Sequence, residues 1–124
     1  MKNIKIMIVL ILLCTSCNVK AQSISSNLLQ NKLWKYKERE MVTEAYTATK
    51  SIVYFNGVAQ MEEPYYLSDT IVFDGNFDTS KVGMSVIGKY IVTPKGCYEV
   101  ISITEKNLVI RNVKHTYNVN LFID

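Results

Sequence analysis

The stretch SIVYFNGVAQM, Ser51 to Met61, decides the fold class. Asn56-Gly57 stands between two apolar runs, and an Asn-Gly pair in that setting is the strongest short hairpin signal. Both central residues of the turn that matches strand twist need positive φ. Working outward, period two dominates. Trp34 and Tyr36 share a face against Lys35, Lys37 and Arg39. In YYLSDTIVF (65–73), Tyr65, Leu67, Ile71 and Phe73 point one way, and Tyr66, Ser68 and Thr70 the other. Asp74 to Gly83 reads as a polar loop, and SVIGKYIV (85–92) as the next strand. Thr93-Pro94-Lys95-Gly96 is a turn with Pro at its favoured second position.

CYEVISI (97–103) and LVIRNV (108–113) form a further hairpin through Thr104-Glu105-Lys106-Asn107. The final run, TYNVNLFI (116–123), sets Tyr117, Val119, Leu121 and Ile123 against Thr116, Asn118 and Asn120. Before all of these, SSNLLQNK (25–32) predicts one or two helical turns capped by Ser25 or Ser26. The pattern amounts to about eight strands, spaced as in a sandwich or barrel. No long helical period separates the strands, so parallel βαβ winding is excluded. The expectation is all-β: a small antiparallel meander closing into a barrel, with a short N-terminal helical turn. Closure removes strand edges, and about eight strands leave room for side chains or one small ligand.

The N-terminus reads separately. Lys2 and Lys5 flank a positive start, and Ile6 to Leu13 is a continuous apolar run. That run is far short of the roughly 20 apolar residues a spanning helix needs, and it reads as a secretory signal. Two processing readings compete. Thr15-Ser16-Cys17 resembles a bacterial lipobox, in which small residues precede a cysteine that receives a diacylglycerol, although Cys14 stands where Leu is usual. Alternatively, ordinary cleavage follows Ala21, with Val19 and Ala21 at the small-residue positions. Lipidation at Cys17 is preferred because it directly follows the apolar run. Residues 1–16 are then signal peptide, and 17–26 lipid anchor and flexible tether. Residues 27–124 are the domain. Acyl chains contribute about 0.8 kcal/mol per buried CH₂, enough for a multiply acylated cysteine to hold a membrane.

Composition narrows the partners. The full chain carries a formal charge of +3, but Lys2 and Lys5 belong to the signal. Without them, 12 of the 14 basic side chains face 11 acidic ones. No concentrated basic face supports nucleic-acid binding. The cluster Lys35, Lys37 and Arg39 is interleaved with Glu38 and Glu40 and reads as a solvated strand face. Cys97 stands alone in the mature chain under either cleavage, so no disulfide framework exists and packing must hold the core.

The order of these segments resembles the lipocalin-like domains of small secreted bacterial lipoproteins. The stretches that carry the resemblance are NLLQNKLWKY (27–36), YYLSD (65–69) with FDTSKVGMSVIGKYIV (77–92), and YEVISITEKNLVIRN (98–112). Together they cover roughly Asn27 to Asp124. The resemblance implies a barrel-closing pair in which Arg111, from a late strand, packs over Trp34. Cation–π contact of that sort is worth about 0.5–2 kcal/mol. Lys32 stands where lipocalins carry a glycine, and the last run, 116–123, reads as a strand where the family is expected to carry a long helix.

Several residue sets are candidates for chemistry. Asp74-Gly75-Asn76-Phe77-Asp78 has the opening of a calcium loop, but Thr79 and Ser85 occupy the positions that would need Gly and Glu. A polar turn is the better reading. His115 and Cys97 have the residue types for a metal site or a nucleophile pair, yet the partners such sites need are missing. Glu62 and Glu63 are adjacent on a strand and point to opposite faces, which suits an edge guard better than a pair of catalytic carboxylates. Tyr36, Tyr54, Tyr65, Tyr90 and Tyr117 fall at inward positions. They either line a ligand pocket or fill the core.

The sequence therefore leads to a non-catalytic envelope lipoprotein that needs no cofactor. It is expected to be exported across the inner membrane of a Gram-negative cell and anchored to the outer membrane facing the periplasm. The barrel is expected to bind a small apolar or amphipathic ligand at the five tyrosines. The alternative is a filled barrel that serves as an interaction module for another envelope protein. Interior volume separates the two readings.

Overall fold

The structure is a computed structural model that describes residues 24–124. The expected signal peptide (1–16), Cys14, Cys17 and the cleavage point after Ala21 lie outside the described residues. The described chain is all-β, with one four-residue helix, α1 (Ser26–Leu29). Ser25 caps that helix, accepting from the Asn27 amide. Among the described residues no helix is long and apolar enough to cross a membrane.

The domain starts earlier than Asn27. Ile24 is fully buried, and β1 (Ile24–Ser25) pairs with β7 (Ile87–Gly88). The last three residues of the expected tether thus belong to the domain: the side chain of Ile24 and the cap at Ser25 hold them there.

Nine further strands form a single antiparallel sheet. In chain order they are β2 (Leu33–Tyr36), β3 (Arg39–Tyr46), β4 (Lys50–Phe55), β5 (Val58–Pro64), β6 (Tyr66–Ser68), β8 (Tyr90–Thr93), β9 (Gly96–Ile103), β10 (Asn107–Asn112) and β11 (Val119–Phe122). Their order across the sheet is β5-β4-β3-β2-β11-β10-β9-β8-β6. The two halves of the chain form separate meanders, and the pairing of β2 with the C-terminal β11 joins them. The sheet curls into a nearly closed barrel. Its gap falls mid-chain, where β5 runs on into β6 and the Lys95 ammonium meets the Met61 sulfur at 3.4 Å.

The hairpins follow their turn chemistry. Asn56 and Gly57 have φ of 50° and 80°, the mirror-image turn that their sequence demands. Thr93 faces Gly96 across the Pro94-Lys95 turn. The Thr104 amide donates to the Asn107 carbonyl at 2.8 Å.

Three expected strands are shorter or broken. Lys37-Glu38 form a tight turn, so the row Lys35, Lys37, Arg39 is not one strand face. β6 stops at Ser68, whose hydroxyl accepts from the Thr70 amide and donates to the Thr70 carbonyl. That local turn diverts the backbone from the ladder, and Ile71 and Phe73 end exposed. The run 85–92 splits into β7 and β8. At Gly88 the backbone passes so close to Ser68 that an added Cβ would lie 2.7 Å from its amide nitrogen.

Two apolar clusters result. Inside the barrel, Ile24, Leu29, Trp34, Tyr65, Val100, Ile103, Leu108 and Leu121 pack together. Outside it, the segment between β6 and β8 folds back over Tyr66, Val92 and Cys97, using Val72, Phe77 and Val82.

Candidate functional site

Inward positions on β2, β3, β4, β8, β9, β10 and β11 leave a cavity of about 310 Å³ beside the packed cluster. This lies at the lower end of the roughly 300–1,000 Å³ typical of small-molecule pockets. Its walls are Tyr36, Tyr46, Val53, Ile91, Tyr98, Ile110 and Val119. At its mouth stand Met61, Glu63, Thr93, Lys95, Asn112, His115 and Tyr117. Wider depressions around Asn31 and Glu105, and around Glu40 and Asn107, are open grooves on the outer surface.

The cavity holds one carboxyl group deep in its wall. Register explains how it comes there. Across β2, β3, β4 and β5, Trp34, Glu44, Val53 and Met61 stand side by side. They share a face of the sheet, and Trp34 is in the core, so Glu44 points inward. Only 7 % of Glu44 is exposed. The Tyr36 hydroxyl donates to Glu44 Oε1 at 2.5 Å, and the Ser51 hydroxyl donates to Oε2 at 2.6 Å. Both oxygens accept, as an acceptor-only carboxylate requires. None of the salt bridges among the described residues includes Glu44. Hydroxyl dipoles alone satisfy a buried acid that ordinarily has a cationic partner.

Its surroundings keep the tyrosines protonated. Burial raises the Tyr36 hydroxyl far above its ordinary range, and the charge of Glu44 adds to the effect. Burial and then Glu44 do the same to Tyr46. Burial also raises Tyr98, partly offset by its hydrogen bond with Asn112.

The five expected tyrosines separate. Tyr36 lines the cavity wall, and Tyr117 stands at the mouth, 60 % exposed and stacked on His115 at 4.9 Å. Tyr65 is inside but in the packed cluster, where its hydroxyl donates to the Thr47 carbonyl at 2.6 Å and accepts from Gln30. Tyr54 and Tyr90 are corrected: each follows or precedes a cavity residue, Val53 or Ile91, and so faces the outside of the barrel. Tyr46, Tyr98 and Glu44 line the cavity in their place. Tyr98 was visible as an alternating aromatic in its strand. Nothing local marked Glu44.

The expected barrel-closing pair is also corrected. Trp34 is fully buried, and its indole N–H donates to the Leu29 carbonyl at 3.0 Å. The cation over its ring is Lys32, 5.5 Å from the centroid. Arg111 alternates with the inward Leu108 and Ile110, faces outward, and pairs with Glu99 at 3.0 Å.

The remaining candidates take structural places. Cys97 lies buried in the outer cluster, its thiol raised by burial, while His115 is at the cavity mouth. The two are on opposite sides of the sheet and form no nucleophile pair. Asp74 pairs with Lys114. Asp78 accepts from the Ser80 hydroxyl at 2.6 Å and from the Ser80 amide at 3.0 Å; these two bonds, the hydroxyl's first, hold its carboxyl below the usual range, and the amide bond caps the 3-10 turn Thr79–Lys81. Among the described residues no three His, Cys, Asp or Glu side chains converge as metal ligands do. No protein-family model, curated protein or solved structure matches the chain.

Proposed function

We propose that the protein is a non-catalytic binder that takes a small amphipathic molecule into its barrel. The observation that carries the reading is the cavity of about 310 Å³ beside Tyr36, Tyr46 and Tyr98. It sits within a barrel whose remainder is packed tight. An interior built only for stability gains by filling such space, since voids forfeit contact energy. Few polar groups among aromatic and aliphatic walls are what an orienting ligand site needs. In this reading the chain is a lipocalin-like envelope lipoprotein, exported and anchored through Cys17.

The second reading, an interaction module, draws on the exposed side chains of Ile71, Phe73, Met84, Val86 and Ile87 along the segment around β7. The two readings separate in a native mass spectrum of the protein purified from an envelope extract, compared with its denatured mass. Extra mass of a few hundred daltons, lost on denaturation, is expected. Equal masses after exposure to a broad extract would refute the binding reading and turn the search to protein partners.

A further inference from the structure

The wall of the cavity is specific about charge. Glu44 and Glu63 contribute two carboxyl groups to the lining, while the Lys95 ammonium and the His115 imidazole stand at the mouth. The buried member of the set is Glu44, and its partners are hydroxyls. Tyr36, Tyr46 and Tyr98 surround the same space with aromatic rings. Ring faces carry negative potential and attract cations, most strongly where water is excluded. A carboxylate has about four lone-pair sites; the Tyr36 and Ser51 hydroxyls take two and the Tyr46 hydroxyl stands close enough to take a third, which leaves room for one donor from the cavity side.

We propose that the cavity selects a small organic cation, a primary or substituted ammonium on an apolar body, with Glu44 as its counter-ion and the tyrosine rings as its cage. This rests on the reading of the barrel as a binding protein and names the ligand class. A neutral ligand would leave Glu44 buried without a cation. An anionic one would meet it at close range in a low-dielectric wall, where like charges repel strongly. The ammonium end lies against Glu44 and the apolar body lies along Val53, Ile110 and Val119. The small volume limits the body to about the size of one ring.

Three probes of one shape test the proposal: 2-phenylethylammonium, 2-phenylethanol and phenylacetate, titrated calorimetrically into the protein. The ammonium is expected to bind at least tenfold more tightly than the alcohol, and phenylacetate more weakly than either. In Glu44→Gln the preference of ammonium over alcohol is expected to collapse to within about twofold. The preference in the unaltered protein is read without the variant, so a variant that fails to fold leaves the test standing. Equal binding of ammonium and alcohol, or tightest binding of phenylacetate, would overturn the cation assignment and leave the binding reading in place. Absence of all three at millimolar concentration would overturn both. A preference that survives Glu44→Gln in the folded variant would overturn the role of Glu44.

Discussion

The packed part of the barrel interior and the cavity beside it share strands but not chemistry. In the packed part Ile24, Leu29, Trp34, Leu108 and Leu121 are at most 2 % exposed, and the one indole N–H has a carbonyl to donate to. In the cavity, aromatic hydroxyls and the Glu44 carboxyl share the wall with Val53, Ile110 and Val119, and Glu63, Lys95 and His115 stand at the mouth. The boundary runs through one cross-strand pair, since Trp34 on β2 stands directly opposite Glu44 on β3. On one strand the position is used for stability. On the next, a polar group is carried in at a desolvation cost. A domain built for stability alone has no need of that second choice.

Removing the largest side chain of the packed part should have the largest effect. Trp34→Ala is expected to lose about 3–5 kcal/mol in denaturant unfolding, the range for truncating a fully buried aromatic. A loss under about 1 kcal/mol would mean that the two parts are not distinct. Ser51→Ala takes one hydroxyl from the buried carboxylate. Its expected cost is about 1.5–3 kcal/mol, as for hydrogen bonds to charged groups, far more than a surface serine would show.

Alkaline titration sharpens the contrast further. The Tyr36 hydroxyl is raised well above its ordinary value of 10.0. Below pH 10 it is protonated in both folded and unfolded chains and adds no slope. Above pH 10 the unfolded chain loses the proton and the folded one keeps it, so stability falls as pH rises. Tyr36→Phe is expected to make that fall shallower by up to about 1.4 kcal/mol per pH unit. An unchanged slope would deny Tyr36 its burial beside Glu44. Tyr117→Ala, at the exposed mouth, should change stability by less than about 0.5 kcal/mol while altering probe affinity severalfold. A large stability loss there would place the mouth in the packed core.

Much of the frame was legible in the sequence because turns are local. Asn56-Gly57, Thr93 to Gly96 and Thr104 to Asn107 each specify their hairpin through residues within four positions. Trp34 was readable as core from its alternation. Lys37-Glu38 hid a turn because neither residue carries a turn signature. The run 65–73 promised a longer strand because alternation does not register the Ser68 hydroxyl capturing Thr70. The site was less legible for a different reason. Glu44 in Thr43-Glu44-Ala45 has the look of any solvated strand residue. Its meaning comes from Tyr36 and Ser51, which arrive from two other strands. Two of the expected tyrosines failed because the inward row of their strands falls on Val53 and Ile91, one position away, and a shift of one reverses the face. That is how Tyr54 and Tyr90 came to lie outside.

The most direct measurement is a methyl NMR titration of the protein with 2-phenylethylammonium. Saturable shifts are expected at Val53 and Val119, which line the cavity, and little change at Leu29 and Leu108, which are packed away from it. Shifts largest at Leu29 and Leu108, or no saturable shift at Val53 and Val119, would contradict binding in the cavity.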